Sequence, residues 1–232
     1  MKYKHIFYLV SFLFFSTIFF TNFFLHSGHI GYEDILTAAA YFKQDSLFLK
    51  KYNELSWWDI NSYSGMPMTT ITARYYPFYI LFLVAYHPSL YKVYYVLHFF
   101  LAGVLMYFFA KELKLRNFSS FIAGIVFMFS GVTVSKIQGS LAHISVYAMV
   151  PLTFLLVYRI FRTKKLIYAV LLGFVLFMQL SAGHPQFFIF SSVALMFYIA
   201  FNFFSIKNKT LRLAIRFIVM LLFSFVICIG LF

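Results

Sequence analysis

Acidic residues are scarce in this chain: Asp and Glu number six among 232 residues, and charged residues of both signs make up only 11%. Soluble domains carry about 25% charge, so a water-soluble globule is excluded. There is one cysteine, Cys228, set in an apolar run, which excludes an intrachain disulfide; no Cys/His spacing suited to zinc is present either. A phosphate loop, a dinucleotide fingerprint, an HExxH pair and a nucleophile elbow are all missing. Nothing supports a reaction on a cytosolic nucleotide.

What the chain has in abundance is apolar surface. It is 63% hydrophobic and 24% aromatic, and its apolar segments recur at lengths near those that cross a bilayer. The expected fold is all-α, a polytopic transmembrane helical bundle of about seven spans, at roughly 6–25, 92–110, 118–135, 144–161, 166–182, 186–204 and 216–232. The first stretch, Ile6 to Leu25, exceeds the roughly 7–15 residues of a signal-peptide core and no A-x-A site follows, so it reads as an uncleaved span. Residues 76–87, "YPFYILFLVAYH", are too short to span and are bracketed by Pro77 and Pro88, which predicts a re-entrant or interfacial helix. The whole of 1–232 reads as one transmembrane domain, the N-terminal part of a longer one.

The net charge of +13 does not point to nucleic acid, because the basic residues sit in short clusters between apolar runs. That is the pattern of topology determinants. With the N-terminus cytoplasmic, 13 of the 19 Lys and Arg fall inside, while Lys43, Lys50, Lys51, Arg74, Lys92 and Lys136 fall outside. The acids divide the other way: Glu33, Asp34, Asp45, Glu54 and Asp59 are outside and only Glu112 is inside. Five of the seven histidines (26, 29, 87, 143 and 184) and both tryptophans also fall on the outer side. The long first extracytoplasmic loop, about 26–91, is expected to begin with a short amphipathic helix carrying Ile35, Ala39 and Phe42 on one face.

Four outer segments carry candidate chemistry. Glu33-Asp34 follows the first span, where partial burial raises a carboxylate toward the range of a general base. The same oxygens suit a divalent cation such as Mg or Mn, and a solvated helix start also favours acids. In "LSWWDINSYSGMPM", residues 55–68, the residues predict a compact loop in which Trp57 and Trp58, beside Asp59, stack on sugar faces or anchor to headgroups. Arg74, close to Tyr76, is suited to pair with a phosphate or with lipid headgroups. Lys136 and His143 flank the second outer turn; His184 and Gln186 lie in "GHPQ", the third, where Gly183 and Pro185 break the helix. Each of these also has a purely structural reading, which the residues alone leave open.

Taken in order, "GYEDIL", "WWDINSYSGMP", "YYP" and "GHPQ" resemble the YfhO family of bacterial membrane proteins. That family belongs with the GT-C glycosyltransferases, which use polyprenyl-phosphate sugars. The resemblance runs over most of the chain and implies that the first outer loop packs on the outer ends of the helices. It further implies that an acid of this loop is the catalytic base or binds a metal. Asp34 best matches that acid, with Glu33 the adjacent alternative. The tryptophan segment and "GHPQ" would line the same cavity. Family members are longer than this chain.

The function this implies is glycosyl transfer, of inverting type, from a polyprenyl-phosphate-linked hexose to a cell-envelope glycan or polymer at the outer face of the bacterial cytoplasmic membrane. Asp34 would take the acceptor proton, with the donor phosphate near Arg74 or Lys136. Two other readings stand beside it: a transporter or flippase of an envelope lipid-linked precursor, and an inactive truncated fragment. Transport needs polar groups along the path, whereas His98 is the only ionisable residue well inside an expected span. The transferase reading requires Asp34, Arg74 and His184 to converge on one cavity.

Overall fold

The computed structural model describes residues 2–25, 33–60, 64–68, 72–84, 87, 89–135, 137, 141–204 and 211–231. Among these the chain is almost wholly helical. It runs through α1 (Lys2–Phe19), a short α2 (Thr21–Leu25), α3 (Glu33–Tyr52), strands β1 (Trp58–Asp59) and β2 (Met66–Pro67), and 3-10 turns at Thr72–Tyr75 and Pro77–Tyr79. There follow α4 (Ile80–Val84), α5 (Ser89–Glu112), α6 (Asn117–Met128), α7 (Gly131–Ser135), α8 (Leu141–Thr163), α9 (Leu166–Ser181), α10 (Pro185–Phe204) and α11 (Leu211–Leu231).

Four helical stretches are long and apolar enough to cross a membrane: Ser89–Glu112, Asn117–Ser135, Leu141–Thr163 and Pro185–Phe204. Three further apolar helices, His5–Phe19, Leu166–Ser181 and Ile218–Ile229, are shorter. These helices are compatible with a multi-pass membrane protein.

α5 and α8 form the middle of the bundle. α5 packs on α1, α6 and α8; α8 packs on α9 and α10; α11 packs on α9. Glycine lets the first group close up. A Cβ on Gly124 of α6 would lie 2.5 Å from Cζ of Phe12 and 2.7 Å from the carbonyl oxygen of Gly103. Phe12 of α1 is therefore wedged where α5 and α6 meet, fully buried.

The expected span 118–135 is interrupted. α6 stops at Met128, and Ser130 precedes α7, its Oγ 2.8 Å from the Thr133 hydroxyl and 3.4 Å from the Thr133 N–H, as a helix N-cap. In α8, Pro151 has no N–H for the carbonyl four residues back and crowds that turn. Gln179 of α9 serves the same turn from outside, its amide 3.1 Å from the Val146 carbonyl oxygen.

One end of the bundle holds His5, whose Nδ1 is 2.6 Å from the Tyr107 hydroxyl, and the Arg159–Glu112 ion pair. The other end carries α3, the β-hairpin and α4. There Tyr95 donates to the Ile137 carbonyl at 2.7 Å.

Three features of this second end differ from the sequence reading. α3 is a 20-residue helix rather than a short one. The tryptophan segment pairs as a hairpin, Trp58 opposite Pro67 and Asp59 opposite Met66. Gly65, at φ 113, makes it possible, because a Cβ there would fall 2.8 Å from the Trp58 indole nitrogen. Lys92, counted among the outer charges, is buried in the first turn of α5.

Candidate functional site

The site at this end begins with the inner face of α3. Residues at helical spacing, Ala38, Phe42, Asp45 and Ser46, turn toward the bundle. Phe42 lies edge-on to Tyr79, at 4.9 Å between ring centroids, and stacks on Phe82 at 4.7 Å. Asp45 then breaks the apolar pattern: it is fully buried.

A buried carboxylate is costly unless it is paired and hydrogen-bonded. The 3-10 turns supply both. Arg74 places Nη2 3.0 Å from Oδ1 and Nε 2.8 Å from Oδ2 of Asp45, although the Nε–H is not aligned as a hydrogen bond. The Tyr79 hydroxyl donates to Asp45 Oδ2. Ser46 adds a bond from its hydroxyl to the Leu83 carbonyl at 3.2 Å. Burial pushes the Asp45 carboxyl above its ordinary range; Tyr79 and Arg74 pull it back only in part. Burial, then Asp45, pushes the Tyr79 hydroxyl well up, so it stays protonated.

Beneath this clasp is a cavity of about 130 Å³ lined by Ala38, Phe42, Ala73, Tyr76, Tyr79, Phe82, Tyr94, Leu141, Ala142, Ala182 and Gly183. Its walls thus come from α3, α4, the 3-10 turns and the near ends of α5, α8 and α9. His98, fully buried in α5, sits behind two of the tyrosines. Its Nδ1 is 2.8 Å from the Tyr94 carbonyl, and its Nε2 is 2.8 Å from the Tyr76 hydroxyl. Tyr94 in turn meets Ser145 of α8. Burial pushes the Tyr76 hydroxyl well above its usual range, so it too is neutral.

The residues singled out from sequence fall around this cavity unevenly. Tyr76 lines it directly. Arg74 lies beside Ala73 of the lining, with its guanidinium turned to Asp45. His184 follows Gly183 at the cavity edge; its Nδ1 accepts the Phe187 N–H at 3.4 Å, capping α10. His143, next to Ala142, lies against His184 with the rings tilted at 47° and their centroids 4.1 Å apart, and Phe187 touches both rings. Gln186 is exposed.

On the hairpin, Asp59 is buried, whereas Trp57 and Trp58 are 69% and 55% exposed, next to Ile60 at 77%. Tyr41 ties the hairpin to α3 through a long contact from its hydroxyl to the Met66 sulfur, 3.9 Å. Glu33 and Asp34 form the first turn of α3, with Asp34 one turn before Ala38; their side chains, and that of Ile35, lie outside the described residues. Lys136, His26 and His29 lie outside them as well.

Asp45, Tyr79, Tyr94 and His98 are the residues of the site that sequence reasoning passed over. Asp45 had a signal: three residues after Phe42, it stands on the face expected to be apolar. Among the described residues no three His, Cys, Asp or Glu side chains come together as a cation site, and the oxygens of Asp45 are engaged by Arg74 and Tyr79. Asp45 is therefore not free to hold Mg or Mn, and the acids expected to do so, Glu33 and Asp34, have side chains outside the described residues. Comparison with protein-family models, with curated proteins and with solved structures returns no match.

Proposed function

We propose that this chain carries the site of a membrane glycosyltransferase that moves a sugar from a polyprenyl-phosphate donor to a cell-envelope acceptor. The observation that carries the reading is the packing of α3 over a cavity at one end of an apolar bundle. The helix whose first turn is Glu33-Asp34 also contributes Ala38 to the cavity wall. The same wall holds Tyr76 and Gly183, from two of the segments behind the resemblance to the YfhO family.

In this reading the site end faces outward across the bacterial cytoplasmic membrane, with the N-terminus inside and seven spans. Asp34 takes the proton of the acceptor hydroxyl as that oxygen bonds to the anomeric carbon and the bond from this carbon to the donor phosphate breaks, releasing polyprenyl phosphate; Glu33 is its understudy. Trp57 and Trp58, exposed on the hairpin, meet the donor or the headgroups around it. Arg74 acts at one remove: held by Asp45, it fixes α3 over the cavity. The donor phosphate is left to Lys136, which the sequence puts in the second outer turn.

The test is sugar transfer by the chain, and by any longer protein that contains it, in lipid vesicles loaded with polyprenyl-phosphate hexoses. Transfer that survives both Asp34→Asn and Glu33→Gln would remove the base assignment. The absence of transfer from every such donor, with the protein folded, would remove the reaction.

A further inference from the structure

The end of the bundle away from the cavity carries charge of one sign. From Tyr94 at the cavity to Glu112, α5 runs about 27 Å at 1.5 Å per residue, close to the roughly 30 Å of a bilayer's hydrocarbon core. Two turns lie side by side there, because Glu112 at the end of α5 pairs with Arg159 near the end of α8. Around the first turn stand Lys111, Lys114 and Arg116; around the second stand Arg162, Lys164 and Lys165. Glu112 is the only acid against them, since the other five of the chain stand in α3 and the stretch from there through β1. Arg159 occupies it.

Some of these cations have local work. Lys111 donates to the Leu115 carbonyl and Arg162 to the Tyr158 hydroxyl, each at 2.8 Å. Lys114, Arg116 and Lys165 are exposed and meet no carboxylate among the described residues. Helix stability does not account for these three. Arg116 and Lys165 are the N-caps of α6 and α9, where neither side chain caps the helix and a cation opposes the dipole. Lys114 turns the chain at φ 65, in the left-handed region that favours glycine.

Apolar side chains interleave with the cations. Leu113 and Leu115 flank Lys114, Phe118 follows Arg116, and Leu166 and Ile167 follow Lys165, all of them exposed. A soluble anion uses the cations alone and leaves these five side chains against water. Basic residues that set topology need only lie on one side of the membrane. A lipid uses both kinds of residue: its phosphate meets the cations, and its acyl chains cover the apolar side chains and the basic stems. We infer that the two turns form a binding surface for anionic phospholipid headgroups, centred on the junction that Glu112 and Arg159 mark. It is independent of the transferase reading.

Quenching by brominated lipids reads occupancy at one place. Cys228, the only native cysteine, is buried, so Ser119→Cys takes a bimane label beside these turns. The labelled full chain is reconstituted in phosphatidylcholine vesicles containing brominated phosphatidylglycerol or brominated phosphatidylcholine. Half-quenching is expected at about fivefold less phosphatidylglycerol, the effect of one cation at an anionic membrane surface. Salt should reduce the preference, because exposed charges are screened. Lys114→Gln, Arg116→Gln and Lys165→Gln together should abolish it, with the thermal midpoint retained. Lys114→Gln and Lys165→Gln singly, one from each turn, should each remove part of it, which guards against a triple variant that fails to fold. The charge-conserving set Lys114→Arg, Arg116→Lys and Lys165→Arg should keep it. So should Lys43→Gln, Lys50→Gln and Lys51→Gln, which remove the same charge from α3 at the other end. Equal quenching by the two lipids, a preference that survives the first three changes, or one lost equally with the α3 changes would each overturn the inference.

Discussion

Arg74 and Asp45 meet in two places, Nη2 to Oδ1 at 3.0 Å and Nε to Oδ2 at 2.8 Å, with the Arg74 side chain 6% exposed and that of Asp45 fully buried. The pair joins α3 to the turn that lines the cavity. Removing one member of a buried pair leaves an uncompensated charge and costs about 3–5 kcal/mol, whereas replacing both with well-packed apolar groups is often close to neutral. Arg74→Gln and Asp45→Asn are therefore expected to destabilise the fold by similar amounts, and Asp45→Leu with Arg74→Met by less than either. Denaturant unfolding in detergent reads this directly. If Arg74→Gln left unfolding unchanged while weakening transfer, Arg74 would be a substrate ligand and not the tether of α3.

The same carboxyl sets a pH dependence. Burial, the largest influence, lifts Asp45 above its ordinary value of 3.8 in spite of Tyr79 and Arg74. The folded state then holds this proton more tightly than the unfolded chain. Its contribution to stability is complete below the ordinary carboxylate value, declines as pH rises through the raised folded value, and is flat above that. Unfolding midpoints from about pH 4 upward should show wild type losing stability relative to Asp45→Asn across that window. A relative gain with rising pH would mean that the ion pair outweighs burial.

Much of the fold is legible in the sequence because bundle helices are written in long apolar runs. Four of the expected spans fall on helices long and apolar enough to cross a membrane, and the short segment after Tyr76 is helical and packs on α3. What the sequence hides is what depends on partners distant along the chain. Asp45 stands on the face of α3 expected to be apolar, but its partners Arg74 and Tyr79, about thirty residues later, cannot be read from that position; in general a buried charge needs such a partner. Lys92 reads as a topology charge and is buried in the first turn of α5. The hairpin escapes because two-residue strands leave too short an alternation to recognise. Tyr76 was singled out for its neighbours; its proton-donating role toward His98 could only come from coordinates.

Close packing at Gly124 gives a prediction independent of function. Its missing Cβ leaves room for Phe12, and the Gly103 carbonyl, 2.7 Å from where a Cβ would be, belongs to the backbone and cannot turn aside. Overpacking a filled core costs about 1–3 kcal/mol. Gly124→Leu should exceed Gly131→Leu in cost, because nothing lies within 4 Å of a Cβ at Gly131. Thermal unfolding of the two variants side by side makes the comparison. Equal effects would mean that α6 does not pack on α1 and α5 as described.

Glu33 and Asp34 stand at the first turn of a 20-residue helix, and magnitudes separate the two things an acid can do there. As partners of the helix dipole they contribute about 0.3–1 kcal/mol each, so Asp34→Asn and Glu33→Gln should shift unfolding only slightly. As a general base, a carboxylate supplies about 10²–10⁴-fold in rate. The expected outcome is a transfer rate lowered on that scale by Asp34→Asn, with the thermal midpoint nearly unmoved, and a smaller loss from Glu33→Gln. Loss of transfer in proportion to loss of stability would assign the pair to the helix start. A larger effect from Glu33→Gln would exchange the two roles and move the base to the residue one place earlier in the helix.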